Sequence, residues 1–209
     1  MEEVKITLQL VSARPYPATG SQIILSTDGL IDFLKDQKTE KVAILGTDAF
    51  KKTVLDDGFV IDEKNPEYLL MGYDTELTYK KLATATILIG RGVDLLATHC
   101  DLVCPTEEGP IPDIGSMIAL IETATGVRPK RIFGKPNPEM ILHVIRKKGI
   151  TMEKVVVIGD RLYTDIELAK RIGCSSVLVL SGDTKREDVE ESDVNPNLIV
   201  KRIAKISIG

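Results

Sequence analysis

The sequence predicts an α/β protein built around parallel strands. Two short runs of apolar and β-branched residues, 155–158 (Val-Val-Val-Ile) and 176–180 (Ser-Val-Leu-Val-Leu), have the composition of strands buried on both faces. Between them, residues 164–172 show the spacing of a helix. Strands that alternate with helices at such short intervals are typical of a parallel α/β unit.

The elements of the C-terminal third can be placed in order. Residues 131–133 are predicted to form a strand, and Pro138 suits the first turn of a helix with Asn137 as its N-cap and Gly149 at its end. Residues 164–167 (Thr-Asp-Ile-Glu) match a capping box, which predicts a helix that begins at Thr164 and stops at Gly173.

The middle of the chain is predicted to be a second α/β region. Its expected strands are 42–45, 59–61, 68–71 and 93–97, and its expected helices are 48–55, 77–89 and 116–125. Residues 99–115, which are rich in proline, glycine and acids, are interpreted as a loop. In the first twenty residues only 5–11 has the pattern of a strand.

Composition excludes several classes of function. Of 209 residues, 43% are hydrophobic and 28% charged, with a net charge of −4, as expected for a globular cytoplasmic protein. We expect no nucleic-acid partner, because no basic stripe interleaves with aromatic residues. We expect no membrane span, because no apolar run approaches ~18 residues, and the N-terminus lacks a signal-peptide layout.

The cysteines do not predict a disulfide framework or a metal centre. There are three of them, an odd number for paired disulfides. His99, Cys100 and Cys104 lie close together in sequence, but a tetrahedral site needs a fourth ligand and no second cluster supplies it. We therefore interpret this segment as a loop that contains thiols.

The most informative segment is the end of the strand 155–158. Asp160 follows this strand, and the carboxyl ends of parallel strands are where open α/β sheets bind ligands. A carboxylate there suits Mg²⁺, and Asp165 follows five positions later. Lys135 precedes a predicted helix start, where anions tend to bind. We expect Asp160 and Lys135 to meet at one anion pocket.

These motifs resemble a known family. Residues 134–138 (Gly-Lys-Pro-Asn-Pro), followed by 157–165 (Val-Ile-Gly-Asp-Arg-Leu-Tyr-Thr-Asp), are similar to the haloacid dehalogenase superfamily, and most of all to its p-nitrophenylphosphatase or NagD-type sugar-phosphatase branch. The likeness extends from residue 21 to residue 205. Further motifs that carry it lie at 97–101, 109–116, 125–129 and 179–182.

The resemblance implies an architecture and an activity. It implies part of a Rossmann-like parallel-sheet core with an inserted α/β cap, divided into a junction or divergent segment at 1–27, a cap at 28–130 and the C-terminal half of the core at 131–209. The implied activity is Mg²⁺-dependent hydrolysis of small phosphate monoesters. The substrate would be a small phosphorylated metabolite, and the branch implies a homodimer.

The resemblance also implies roles for individual residues. Lys135 would neutralise the phosphate and the nucleophile, Asp160 would bind Mg²⁺ directly, and Asp165 would support the metal through water or hydrogen bonds. Asp160 and Asp165 are therefore the implied metal residues. The implied substrate-binding residues are Asn137, Arg161, His99 and Asp101.

One part of the family pattern does not occur in this sequence. The family carries its aspartate nucleophile in an Asp-x-Asp-Gly-Thr/Val segment, and the nearest match, residues 26–29 (Ser-Thr-Asp-Gly), has serine at the nucleophile position. An adjacent base to activate that serine is lacking, and the sequence after it resembles the cap, so we interpret 21–36 as the junction between core and cap. Ser12 is the only candidate for the family's second motif.

Two further hypotheses follow from this gap. With its nucleophile motif absent, the chain is expected to be an impaired phosphatase, and the alternative is a non-catalytic module that binds metal, phosphate or a partner protein. A receiver-like signalling domain also uses acids and a lysine at strand ends, but the inserted region does not fit it. A core without its first strand would have an exposed edge and an uncovered apolar face. We therefore expect association, marginal stability or a rearranged N-terminal segment that fills the gap.

Overall fold

The protein contains two parallel sheets and one hairpin, as seen in a computed structural model that describes residues 24–203. This confirms the predicted α/β class with its parallel sheet. The strands are β1 (Lys41–Leu45), β2 (Val60–Ile61), β3 (Tyr68–Met71), β4 (Asp94–Ala97), β5 (Val103–Thr106), β6 (Gly109–Pro112), β7 (Arg131–Ile132), β8 (Val156–Gly159), β9 (Ser175–Val179) and β10 (Leu198–Val200). The helices are α1 (Ser26–Asp36), α2 (Asp48–Asp56), α3 (Tyr79–Gly90), α4 (Ile114–Thr125), α5 (Glu139–Lys148), α6 (Glu167–Ile172) and α7 (Arg186–Glu190).

The larger sheet is parallel throughout, in the order β2-β1-β3-β4-β7. Successive side chains of its central strands point to opposite faces. Leu69 and Leu95 pack with α3 and α4 on one face, whereas Leu70 and Leu96 pack with α1 and α2 on the other. Helices therefore cover both faces of this sheet, which explains why its strands read as continuous apolar runs.

The smaller sheet has three parallel strands in the order β10-β9-β8. Its buried cluster consists of Leu162, Ile166 and Leu178. Within residues 24–203, β8 pairs only with β9, and Val156 on β8 is 53% exposed. One long side of β8 is thus an edge in the described part of the chain, as the resemblance implies.

The boundary between the two regions lies close to the strand β7. This strand pairs with β4, and the next residue, Phe133, is buried in the cluster that contains α1 and α2. The larger sheet therefore continues through residue 132, although the predicted cap ends at 130. The division into 1–27, 28–130 and 131–209 stays a prediction, and most of its first range lies outside the described residues.

Most predicted elements are present, but the loop predicted at 99–115 contains the antiparallel hairpin β5–β6. Its prolines, among them Pro110 and Pro112, argue against strands in the sequence. The hairpin is a two-stranded ribbon on its own, so each strand has a free side on which a missing N–H is tolerated.

Two predicted helix starts are wrong, while both predicted helix ends are confirmed. Helix α5 begins at Glu139 with Pro138 as its N-cap, so Asn137 is not the cap. Thr164 lies inside a π-helical turn (Leu162–Ile166) that leads into α6, so no capping box forms there. Both helices end at a glycine with positive φ, Gly149 at 62° and Gly173 at 73°.

The serine-containing segment 26–29 is not the end of a strand. It forms the first turn of α1, where Asp28 Oδ2 accepts a 2.8 Å hydrogen bond from the N–H of Leu25. The segment therefore does not have the strand-end position of a nucleophile loop, and its interpretation as junction stays a prediction. The predicted strand 5–11 and Ser12 lie outside the described residues.

Helix length sets a limit on membrane crossing. The helices α3 and α4 have 12 residues each. A helix needs about 20 apolar residues to cross a bilayer. Among the helices in residues 24–203, none is long and apolar enough to do so.

Candidate functional site

The predicted site residues lie in loops that follow parallel strands. Residues 98–101 follow β4, Gly134 and Lys135 lie just after β7, residues 160–161 follow β8, and residues 180–184 follow β9. These loops contact one another across the two sheets, because Arg161 pairs with Asp101 and Cys100 Sγ lies 4.0 Å from the carbonyl oxygen of Lys135. The site is therefore built from both α/β regions.

Lys135 and Asp165 form an ion pair at the base of the site. Lys135 Nζ donates to Asp165 Oδ1 at 2.6 Å, and the side chains are 27% and 7% exposed. The N–H of Arg161 donates to the other oxygen, Oδ2, at 3.2 Å. Both carboxylate oxygens of Asp165 are thus hydrogen-bonded, so this residue fixes the direction in which the Lys135 ammonium points.

Asp165 lies against the end of β8. A methyl group built on Gly159, the last residue of that strand, would overlap the Asp165 carboxylate. Glycine at 159 is therefore required for the close approach of this carboxylate to the strand. Since Asp160 is the next residue, Lys135, Asp165 and Asp160 lie at the same end of β8, as the sequence predicts.

Asp160 is half-buried and held by the loop after β9. Its Oδ2 accepts a 2.9 Å hydrogen bond from the N–H of Asp183, and its carbonyl oxygen accepts one of 3.1 Å from the N–H of Thr184. A methyl group on Gly182 would overlap the Asp160 carboxylate. The residues 182–184 therefore define where this carboxylate sits.

Arg161 joins the two regions electrostatically. Its Nη1 lies 3.5 Å from Asp101 Oδ1, and its Nε lies 3.4 Å from Asp183 Oδ2. Burial by itself would lower the pKa of the guanidinium, but the acidic groups around it outweigh burial and raise that pKa. Those groups are Tyr163, Asp101, Asp183 and Asp160. The guanidinium stays charged and holds the loops after β4 and β9 together.

His99 and Asp101 border the site as a pair of polar residues in the loop after β4. His99 Nε2 lies 2.9 Å from Asp113 Oδ1, and this oxygen also accepts the N–H of Ile114 at 2.6 Å as the N-cap of α4. A ligand atom from each of His99, Asp101 and Asp113 lies within 4.8 Å of the others. Each of the three side chains already pairs with another side chain, His99 with Asp113 and Asp101 with Arg161. We therefore interpret them as polar residues that line the site rather than as metal ligands.

Asn137 stabilises the loop after β7 that contains Lys135. Its Nδ2 donates to the carbonyl oxygen of Gly134 at 3.3 Å, and its Oδ1 accepts from Arg171 Nη1 at 3.4 Å. These contacts tie the loop after β7 to α6. Asn137 therefore orients the backbone beside Lys135, and no hydrogen bond joins it to Asp160 in the described structure.

Burial raises the pKa of two of the thiols, those of Cys100 and Cys174. The nearby Asp101 carboxylate raises the pKa of the Cys100 thiol further. None of Cys100, Cys104 and Cys174 is joined in a disulfide in the structure.

Three contributors to the site were missed in the sequence. Asp113 is the N-cap of α4, which begins at Ile114. The sequence predicted that this helix begins at residue 116, so Asp113 was not identified as a cap. Gly182 belongs to a motif that carries the resemblance, but its role depends on the close approach of Asp160. Asp183 acts through its main chain and through Arg161, and neither contact has a sequence signal.

Comparison with known proteins identifies the family. The family model described as HAD-hydrolase-like matches residues 132–206. A crystal structure of 4-nitrophenylphosphatase from Thermotoga maritima is 40% identical, with a TM-score of 0.84, over 88% of this chain and 71% of that protein. The chain belongs to the haloacid dehalogenase superfamily. Within that superfamily its relatives place it in the NagD and p-nitrophenylphosphatase branch.

Two other relatives of this haloacid dehalogenase-type chain are phosphatases by name. Dihydroxyacetone phosphatase of Corynebacterium glutamicum (strain R) is 32% identical over 187 residues, which cover 89% of this chain and 68% of that protein. Glycerol phosphate phosphatase of Mycobacterium tuberculosis, solved in complex with magnesium, is 31% identical with a TM-score of 0.81, over 88% of this chain and 57% of that one. At the level of the family, the chain is thus related to phosphate-ester hydrolases.

Proposed function

We propose that this chain is a Mg²⁺-dependent phosphatase of small phosphate monoesters, with turnover impaired because its sequence lacks an Asp-x-Asp-Gly segment, and that Lys135, Asp160 and Asp165 form its metal- and phosphate-binding part. The observation that carries the proposal is the Lys135–Asp165 ion pair of 2.6 Å beside Asp160 at the end of β8. A fixed ammonium and a metal-binding carboxylate at one strand end are the groups that phosphoryl chemistry requires. We further propose that the protein acts in the cytoplasm on a phosphorylated metabolite, as a homodimer and without nucleic acid or membrane partners.

The residues present fit a magnesium ion. Mg²⁺ is bound through one or two carboxylates together with waters and substrate phosphate oxygens. Asp160 offers a carboxylate whose Oδ2 is oriented by the Asp183 N–H and lies where a methyl on Gly182 would overlap it. Asp160 would be the direct ligand, and Asp165, which is bonded to Lys135 and to the N–H of Arg161, would support the ion through water or hydrogen bonds. When bound, the ion would neutralise charge on the phosphoryl oxygens.

Lys135 would bind the phosphate. Its ammonium is directed by Asp165 and partly exposed, so a phosphate oxygen can approach it without displacing the ion pair. A positively charged group that is already oriented needs little reorganisation when charge develops on the phosphoryl oxygens. Asn137 contributes indirectly, because it fixes the backbone on which Lys135 stands.

The loop after β4 would select the organic part of the substrate. His99 and Asp101 project from this loop, and Asp101 reaches Arg161 beside Asp160. A hydroxylated or carboxylated substrate could exchange hydrogen bonds with these side chains. His99, Asp101 and Arg161 are therefore the proposed substrate-binding residues.

The absence of an Asp-x-Asp-Gly segment favours a second candidate function. The sequence contains no such segment, so nothing in it matches the family's aspartate nucleophile. With the metal- and phosphate-binding residues retained and the nucleophile lacking, the chain would bind Mg²⁺ and phosphate without turnover. The second candidate is therefore a non-catalytic binding module.

Hydrolysis of p-nitrophenyl phosphate with Mg²⁺, measured on the purified full chain, separates these candidates. For the enzyme, we expect turnover that is lost in Asp160→Ala and Lys135→Ala. For the binding module, we expect no turnover but Mg²⁺ binding by titration calorimetry that Asp160→Ala abolishes. Asp193→Ala, at an exposed aspartate of the same region, is the matched control and should behave like the wild type.

Two results would contradict the proposal. One is turnover that survives in Asp160→Ala at the wild-type rate, because a different site would then do the chemistry. The other is a protein that shows neither turnover nor Asp160-dependent Mg²⁺ binding.

A further inference from the structure

The loop at residues 181–184 lies against the Asp160 carboxylate. The loop joins β9 to the turn before α7, and Thr184 is buried in it whereas the preceding three residues are exposed. Exposed loops that have no function are usually free to vary in position. This loop is instead fixed to Asp160 by three separate contacts.

The first contact is steric. In the structure, the space where a Gly182 side chain would stand is occupied by the Asp160 carboxylate, and even a methyl group would overlap Oδ2 and Cγ. Gly182 does not need glycine for its backbone, because its φ is not in the left-handed region. Glycine is therefore needed at position 182 because any side chain there would push the Asp160 carboxylate out of its place.

The second and third contacts are main-chain hydrogen bonds. The N–H of Asp183 donates to Asp160 Oδ2 at 2.9 Å, and the N–H of Thr184 donates to the Asp160 carbonyl oxygen at 3.1 Å. One bond fixes the side chain and the other fixes the backbone of the same residue. Together they restrict the rotation of the Asp160 side chain and hold Oδ2 toward the loop.

The loop is itself anchored by Arg161. The guanidinium pairs with the Asp183 carboxylate at 3.4 Å and with Asp101 at 3.5 Å. Asp183 thus has two functions that can be separated by mutation. Its main chain holds Asp160, and its side chain holds the loop to Arg161.

We propose that residues 182–184 are positioning residues that orient Asp160 for a divalent cation, with Oδ2 retained by the loop and Oδ1 left for the ion. This inference rests on the proposed function, because it assumes that Asp160 is the cation ligand. Residues that hold a metal ligand by hydrogen bonds affect metal affinity by about 10–100-fold. We expect an effect of this size from the main-chain contacts of the loop.

The test is Mn²⁺ binding by the full chain, measured from the electron paramagnetic resonance signal of free Mn²⁺. Gly182→Ala should weaken Mn²⁺ binding about 10–100-fold, because the added methyl displaces the carboxylate. Replacement of the Asp183 amide by an ester should weaken it in the same direction, since it removes the N–H donor and adds no atoms to the side chain. Asp183→Ala keeps the N–H and should change the affinity much less than either.

Two controls separate positioning from a loss of folding. Gly90→Ala adds a methyl at a glycine with no neighbouring atom within 4 Å, and should leave Mn²⁺ binding unchanged. The melting temperature without metal should be close to the wild-type value in every variant used. If Gly182→Ala fails this criterion, the ester variant decides the question.

The outcomes also distinguish this inference from the proposed function. If the wild type binds Mn²⁺ and Asp160→Ala abolishes binding, but the Gly182 and ester variants bind as the wild type does, the positioning role is overturned and the cation site stands. If Asp160→Ala binds Mn²⁺ as well as the wild type does, the cation site of the proposed function fails and the inference fails with it. If Asp183→Ala lost as much Mn²⁺ affinity as the ester variant, the Asp183 side chain would be needed to position Asp160. The proposal that the main-chain N–H does so would then be overturned.

Discussion

The two sheets of this protein differ in how completely they are covered. The larger sheet is packed by helices on both faces, and the central strands β3 and β4 have almost no exposed apolar surface. The smaller sheet has a buried cluster of three residues and, within residues 24–203, an edge strand in β8. Yet the smaller sheet carries Asp160 and Asp165, and Lys135 is directed toward it.

Apolar packing is thus concentrated in the larger sheet, whereas Asp160 and Asp165 belong to the smaller one. A fully packed sheet tolerates few changes in volume, so it provides a rigid support. The site needs open loops at strand ends, and such loops leave less apolar surface to bury. Phe133 links the two, because it is buried against the larger sheet one residue before Gly134 and two before Lys135.

The largest effect is expected for Phe133→Ala. The side chain is 1% exposed and lies 5.4 Å from the ring of Phe33, so its loss leaves a cavity in the larger core. The free energy of unfolding should fall by about 3–5 kcal/mol, measured by urea denaturation. Phe133→Leu, the control that retains much of the volume, should lose far less. A loss below about 1 kcal/mol for the alanine variant would show that the larger sheet is not the main core of the protein.

The next effect is expected at the Lys135–Asp165 pair. Asp165→Asn removes the charge that directs Lys135 and weakens a hydrogen bond between charged groups, at a cost of about 1.5–3 kcal/mol in the free energy of unfolding. A double-mutant cycle with Lys135→Met should show that the two losses are not additive. Two results would show that the pair does not organise the site. One is additive losses of unfolding free energy in the double variant. The other is a loss for Asp165→Asn no larger than that for the exposed control Asp193→Asn.

A matched pair of glycines tests whether the regions unfold separately. Gly126 ends α4 beside the larger sheet with φ of 72°, and Gly173 ends α6 beside the smaller sheet with φ of 73°. Alanine at either position costs about 1–2 kcal/mol, because both require the left-handed conformation. By native-state hydrogen exchange, we expect Gly173→Ala to speed exchange in β9 and Gly126→Ala to speed it in β3. Equal acceleration of both strands by both variants would mean that the protein unfolds as one unit.

The smallest effect concerns pH and the larger sheet. The pKa of Glu67 is lowered because its carboxylate accepts the N–H groups of Lys41 and Glu40, at 3.0 Å and 2.8 Å. A carboxylate whose pKa is lower in the folded protein stabilises it above the unfolded pKa, and this contribution disappears as the pH falls through the folded pKa. Thermal melts should therefore show Glu67→Gln slightly less stable than the wild type at pH 7, by less than about 1 kcal/mol, with the difference vanishing in acid. If the stability difference between the wild type and Glu67→Gln grew as the pH fell, the contribution of the Glu67 carboxylate would have the opposite sign.

The sequence predicted the fold class and most elements because apolar periodicity reports burial. The strands β1, β3, β4 and β9 lie where their β-branched and leucine-rich runs predicted them. The hairpin β5–β6 was missed because its prolines resemble a loop, and tertiary contacts decide its conformation. The capping box at Thr164 was wrong because Asp165 is drawn to Lys135 and the N–H of Arg161, in a turn of π-helical geometry.

The site was predictable in its residue types but not in its internal contacts. Asp160 and Lys135 follow strands and adjoin glycines, which gives a sequence signal. The hydrogen bonds of residues 182–184 with Asp160 depend on main-chain atoms, and main-chain donors are the same in every residue except proline. The link from Arg161 to Asp101 spans both regions and has no signal in sequence spacing.

We propose that a divalent cation binds at the Asp160 carboxylate beside Lys135. Anomalous diffraction from crystals of the full chain grown with Mn²⁺ and inorganic phosphate tests this proposal. We expect an anomalous peak within coordination distance of an Asp160 carboxylate oxygen, with phosphate in hydrogen-bonding contact with Lys135 Nζ. A peak only at His99, Asp101 and Asp113, or no peak at Asp160, would contradict it.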